Sequence, residues 1–144
     1  MRRYLIVANQ TLGGQPLADK VVELMGQGPC RFTVVVPATH PHHHMTWTEG
    51  EAVSIARHRL DEALERLRAL GADVDGAVGD GRPVDAVGDA IRAAAVAGYE
   101  RFDAILLSTL PPGLSRWLNQ DLPHRLERAF ALPVTHLTAS VATA

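Results

Sequence analysis

Cysteine is nearly missing from this sequence, and Cys30 is its only representative. A lone thiol excludes an intramolecular disulfide and a CxxC redox pair within these 144 residues, and its place before a β-branched run reads as a small side chain at the start of a strand. An excess of one charge is missing as well. Fourteen Lys and Arg face 16 Asp and Glu, for a net charge of −2, and no long basic block occurs. That balance argues against nucleic acid and against an anionic membrane surface as partners. Long apolar runs are absent. Two arginines precede Tyr4 to Ala8, but that run is too short for a signal-peptide core and far too short to span a bilayer, so a cytoplasmic location is expected. No GxSxG and no GxxxxGK[ST] occurs either, which removes the familiar hydrolase and P-loop signatures.

What is present is alternation. The chain is 47% hydrophobic, enough to bury one core, and residues 1–144 are expected to form a single domain with 138–144 as a loose tail. Leu5 to Ala8 is a continuous apolar run, the pattern of a strand buried on both faces, and it ends at Asn9. Pro16 opens a helix in which Leu17, Val21, Leu24 and Met25 recur, before Gly26 and Gly28 stop it. Phe32 to Val36, closed by Pro37, is a second buried strand. Thr48 with Glu51 forms a capping box for a helix whose apolar stripe is Val53, Ala56, Leu60, Leu64 and Leu67. Arg57, Arg59, Asp61, Glu62, Glu65 and Arg68 should then face away, and the helix should end near Gly71. Ala72 to Val78 reads as an edge strand, and Gly79 to Pro83 starts a helix carrying Val84, Val87, Ile91 and Ala94. Phe102 to Leu107 is a fourth strand, Leu122 to Phe130 a fourth helix, and Pro133 to Leu137 a last short strand. Such β-α units define an α/β fold: one doubly wound domain with a five-stranded, mainly parallel sheet and helices on both faces. Ligands of open α/β sheets sit beyond the carboxyl ends of the strands. Attention therefore falls on the loops after Asn9, Pro37, Gly79 and Ser108.

Four segments carry a resemblance: GAVGDGRPVDAVGDAI from Gly76, FDAILLST from Phe102, GLSRWL from Gly113 and ALPVTHL from Ala131. Together with the order of elements, they resemble the universal stress protein family over nearly the whole chain. The resemblance implies an adenine-nucleotide alpha hydrolase-like sheet and a homodimer joined through the last strand. It also implies a stress-response or other regulatory role without a settled enzymatic reaction. Many members bind ATP. In those, an Asp ends strand one, a residue at the end of strand two lines the adenine, and the loop after strand four reads Gly, two residues, Gly, nine residues, then Gly-Ser or Gly-Thr. Here these positions hold Asn9, then Val36-Pro37, then Ser108 and Pro111, with Asp121-Leu122 or Gln120-Asp121 as the closing pair.

These replacements change the chemistry. Glycines let a backbone approach phosphate and present bare N–H groups, whereas proline removes a donor and adds a ring. A carboxylate at Asp121 would meet phosphate as a like charge. The loop is thus expected to be a rigid turn with Asp121 capping the helix that holds Pro123 in its first turn, and to be a poor ATP cradle. If the site is retained for a nucleotide such as ATP or AMP, or for another small ligand, its candidate lining is Asn9, Val36, Pro37, Ser108, Thr109, Gly113, Gln120 and Asp121. An alternative is a nucleotide-handling enzyme, for which the loops offer only Arg82, Arg116 and Asp80. A third is a partner-binding dimer with no ligand. Gly13-Gly14 reads as a turn. His40, His42, His43 and His44 form a weak metal candidate, since neighbouring histidines in a proline-containing loop point apart and no cysteine is near. No metal and no catalytic residue is therefore assigned.

Overall fold

The computed structural model describes residues 1–39, 48–99 and 101–139. Five strands, β1 Arg2–Val7, β2 Cys30–Pro37, β3 Val74–Gly79, β4 Ala104–Thr109 and β5 Val134–Thr138, alternate with helices α1 Gln15–Gly26, α2 Glu49–Ala69, α3 Pro83–Val96, α4 Arg116–Asn119 and α5 Leu122–Phe130. All strand pairs are parallel, in the order β3-β2-β1-β4-β5. The expected α/β sheet is therefore present, with its winding reversed between β1 and β4. Alternate residues of β1 feed two cores. Tyr4, Ile6 and Ala8 pack with Leu17 and Val21 of α1 and with Ala56 and Leu60 of α2. Leu5 and Val7 pack on the other face with Val87 of α3 and Leu126 of α5. Burial of β1 on both faces is why its sequence reads as an uninterrupted apolar run.

The second helix differs from its expected orientation. Its buried stripe is Ala52, Ala56, Leu60, Ala63 and Leu67, while Val53 is 40% exposed. The helix lies close to the sheet: a Cβ on Gly76 of β3 would stand 2.7 Å from a Leu60 methyl carbon and 2.7 Å from the Val34 carbonyl oxygen. Ala56, Leu60 and Leu67 are buried as expected and Leu64 packs against the same core, while Ala52 and Ala63 take the place expected of Val53. Thr48 caps it as expected, accepting from the Glu51 N–H at 3.1 Å. The box supplies a start but not a rotation about the axis.

The carboxyl half departs from expectation at four points. Strand β4 runs past the expected end at Leu107 through Ser108 and Thr109, and both are buried. A short helix, α4, precedes the expected one, and buried Ser115 caps it by accepting from the Leu118 N–H at 3.3 Å. Asp121 stands at the N-cap position of α5 but makes no side-chain cap; its backbone is left-handed, at φ 55° and ψ 41°. Its carboxylate meets Nδ1 of His124 at 2.8 Å instead. The last strand continues past Leu137 through Thr138, and the Ala139 N–H donates to the Thr109 carbonyl at 2.9 Å.

Candidate ligand cleft at the carboxyl end of the sheet

A cleft of about 830 Å³ opens where β1 and β4 part, lined by the loops after β1, β2, β3 and β4, by α2 and by α4. At its floor lies Asn9, buried beneath the end of β1. Its amide Nδ2 donates to the Pro37 carbonyl at 2.7 Å and to Thr39 Oγ1 at 3.2 Å. With both amide protons directed to oxygen acceptors, the carbonyl Oδ1 is left to accept, and it does so from an Nη of Arg59 on α2. Arg59, expected to face away, is half-buried and lines the cleft. Burial pushes its guanidinium below arginine's ordinary range, though far from neutrality. Among the described residues no carboxylate contacts it.

The sequence offered no signal for Arg59 beyond its place on the polar side of a helix. It became a cleft residue only because α2 is rotated toward its alanines. Arg82 and Arg116 also line the cleft, as does Asp80, its sole carboxylate among the described lining residues. Asp80 is engaged locally: it accepts from the Arg82 N–H at 2.8 Å and lies 3.6 Å from the Arg82 side chain. Arg82 in turn pairs with Asp85 at 3.0 Å. Val53, Ile55, Leu114 and Trp117 add apolar surface to the same lining.

Of the residues picked from sequence, Asn9, Thr109 and Gln120 reach the lining, whereas Val36, Pro37, Ser108, Gly113 and Asp121 do not. Val36 is fully buried in the core beside α2, and Pro37 contributes its carbonyl to Asn9. Ser108 directs its hydroxyl to Thr11 Oγ1 at 2.7 Å, and Thr11 returns a bond to the Ser108 carbonyl at 3.0 Å. That closed pair leaves Ser108 no proton for a ligand. Gly113 occupies a left-handed turn at φ 89°, as glycine tolerates. In the same turn, Leu114 and Ser115 both donate to the Pro111 carbonyl, at 3.0 and 3.2 Å. Pro111 and Pro112 have no N–H, so four of the six residues from Leu110 to Ser115 present none to the cleft.

Thr109 Oγ1 donates to the Leu110 carbonyl at 2.8 Å and lies 2.7 Å from Nε2 of His136 on β5. A hydroxyl has one proton, so His136 must donate, which fixes the Nε2–H tautomer. Burial holds the His136 imidazole below its ordinary value of 6.5, consistent with a neutral ring. Cys30 sits at the opposite end of the sheet; burial, then the nearby Asp73 charge, pushes its thiol up. The histidine candidates His40, His42, His43 and His44 lie outside the described residues, among which no group of three or more metal-ligating side chains occurs. Nor is any described helix long and apolar enough to cross a membrane.

No protein-family model and no curated protein matches the sequence. Solved structures do match. A universal stress protein in complex with cAMP superposes with a TM-score of 0.57 at 19% identity, covering 96% of this chain and 98% of that one. A universal stress protein from Archaeoglobus fulgidus gives 0.58 at 13% identity, with 97% and 94% covered. A universal stress protein family protein from Arabidopsis thaliana with AMP bound gives 0.59 at 9% identity, with 99% and 95% covered. The class is thus a doubly wound parallel α/β domain with a cleft at the strand switch point. More particularly, the chain has the universal stress protein fold.

Proposed function

We propose that this protein is a non-catalytic, regulatory member of the universal stress protein family, working in the cytoplasm, whose cleft takes an adenine mononucleotide or a ligand of that size and binds ATP poorly. The observation that carries the reading is the asymmetry of the cleft. Side-chain cations and apolar residues line it, while in the loop after β4 two residues are prolines and Leu114 and Ser115 give their N–H groups to the Pro111 carbonyl. A heterocycle can lie against Trp117 and Leu114, and one anionic group can be met by arginine. A triphosphate needs a train of further donors, which this loop does not present. Support from outside the chain is that two structures of the same fold hold cAMP and AMP.

Calorimetry with AMP, cAMP and ATP tests this. AMP or cAMP should bind, and the ATP dissociation constant should be no tighter than about millimolar, corresponding to about 4 kcal/mol. Micromolar ATP binding, or no binding by any of the three, would sink the reading. The same reading includes a homodimer through β5. That strand pairs with β4 on one side only, and an unpaired edge invites a symmetry mate. The Ile105 N–H donates to the Pro133 carbonyl and the Ala139 N–H to the Thr109 carbonyl, so odd-numbered residues of β5 face β4. Even-numbered ones turn outward. Thr138→Pro should therefore weaken a dimer without touching the β4 ladder, whereas proline at Thr135 would break the sheet itself. Light scattering that gives a monomer mass at micromolar concentration would remove the dimer from the reading.

A further inference from the structure

We propose that Arg59, held by Asn9, is the anion anchor of the cleft: a side-chain subsite for a single phosphate monoester. It deepens the small-ligand reading and rests on it in requiring that the cleft be open to solutes. The geometry has three parts. Asn9 is buried and fully oriented, with both amide protons on Pro37 and Thr39 and its carbonyl on Arg59. The guanidinium is thereby held at the cleft wall by a neutral group, which uses one of five N–H donors and cancels none of the charge. No described carboxylate approaches Arg59, whereas Arg82, across the same cleft, carries Asp80 and Asp85.

A half-buried cation without a counter-ion is costly unless an anion completes it. A planar fork with donors to spare suits a phosphate bidentately. The depressed affinity of Arg59 for its proton points the same way, since it reports desolvation with no compensating negative neighbour. The β4–α4 loop offers few donors for this role, since Pro111 and Pro112 have no N–H and Leu114 and Ser115 give theirs to the Pro111 carbonyl. Position 9 is decisive. An amide can donate to the Pro37 carbonyl and accept from Arg59 at once, while a carboxylate would neutralise the anchor.

The test uses two readouts. First, inorganic phosphate is titrated into labelled protein while the arginine Nε–Hε resonances are followed, with Arg59 assigned by its loss in Arg59→Gln. A saturable shift of that resonance, larger than at Arg82 or Arg116, is expected; no shift up to tens of millimolar, roughly where a contact worth only one or two tenfold steps would still register, overturns the proposal. Second, AMP and adenosine are compared by calorimetry in the wild type, Arg59→Gln and Arg59→Lys. AMP affinity should fall about 10- to 100-fold in Arg59→Gln and less in Arg59→Lys, with adenosine unchanged. Equal losses for AMP and adenosine, or none, would overturn the anchor while leaving the ligand reading intact. A phosphate shift at Arg59 without any nucleotide binding would retain the anchor and discard the nucleotide.

Discussion

The two ends of the sheet both hold partly buried arginines, and they treat them differently. At the amino end, Arg3 is buried with its guanidinium carbon 4.3 Å from the Phe102 ring centre and 4.8 Å from that of Tyr99. Arg31 lies 5.2 Å from the Tyr99 ring centre as well, with Asp73 at 3.6 Å and Asp75 at 3.4 Å. There the charge is met by π-faces and carboxylates supplied by the fold. At the carboxyl end, Arg59 has only the carbonyl of an amide from the described residues, at the wall of a cleft. The lesson is that burial of an arginine alone does not mark a site. What marks one is burial together with a neutral partner and an open side.

The largest effect expected from breaking this comparison lies at the amino end. Phe102 is buried, so Phe102→Ala should cost about 3 to 5 kcal/mol in urea unfolding through the cavity it leaves, and it also removes the surface under Arg3. AMP affinity of the folded fraction should not move; a weakened AMP complex would show that the two ends are coupled.

Next comes Asn9→Asp. A carboxylate oxygen would replace the amide that lies 2.7 Å from the Pro37 carbonyl, losing a buried hydrogen bond and adding repulsion, at about 1 to 3 kcal/mol less any gain from Arg59. Urea unfolding reads this loss, and AMP selectivity over adenosine should also shrink, because a carboxylate beside Arg59 offsets the charge of the anchor. An Asn9→Asp protein with undiminished stability and selectivity would contradict the role given to the amide.

A loop exchange sharpens the contrast from the other side. Replacing Ser108, Pro111, Gln120 and Asp121 by Gly, Gly, Gly and Ser should raise ATP affinity by one or more tenfold steps, each about 1.4 kcal/mol. The gain is limited because the change at Ser108 also opens its bond to Thr11. Calorimetry that finds no gain would mean that backbone donors are not what ATP lacks here.

The smallest effect concerns His136. Its depressed folded pKa, caused by burial, contributes stability that is fully present above the unfolded value of about 6.5 and is lost as pH falls toward the folded value. His136→Gln should flatten that slope in thermal unfolding between pH 7 and pH 5. An unchanged slope would mean that His136 does not report on Thr109 and the cleft.

Much of this fold was legible in the residues because periodicity and capping are local. The run Leu5 to Ala8 announces a strand buried on both faces, Thr48 with Glu51 starts α2, and Gly71 ends it in a left-handed turn at φ 97°. The site was legible in part. Asn9 and Thr109 were found because they end strands at the switch point, and Gln120 because of its place in the loop pattern. Ser108 and Gly113 were credited with ligand contacts that their own hydrogen bonds and turn leave them poorly placed to make. Four-residue α4 lay below what a periodic pattern can register.

The sequence by itself determined the five strands and the four longer helices, though not the exact strand ends, and that they alternate as β-α units, since these follow from side-chain pattern and short-range hydrogen bonding. Only the tertiary structure decided that Arg59 faces the cleft. A helix with apolar residues at both Ala52 and Val53 has two rotations open to it. The choice is made by packing of α2 against β1 to β3, between residues distant in sequence, which no local pattern encodes.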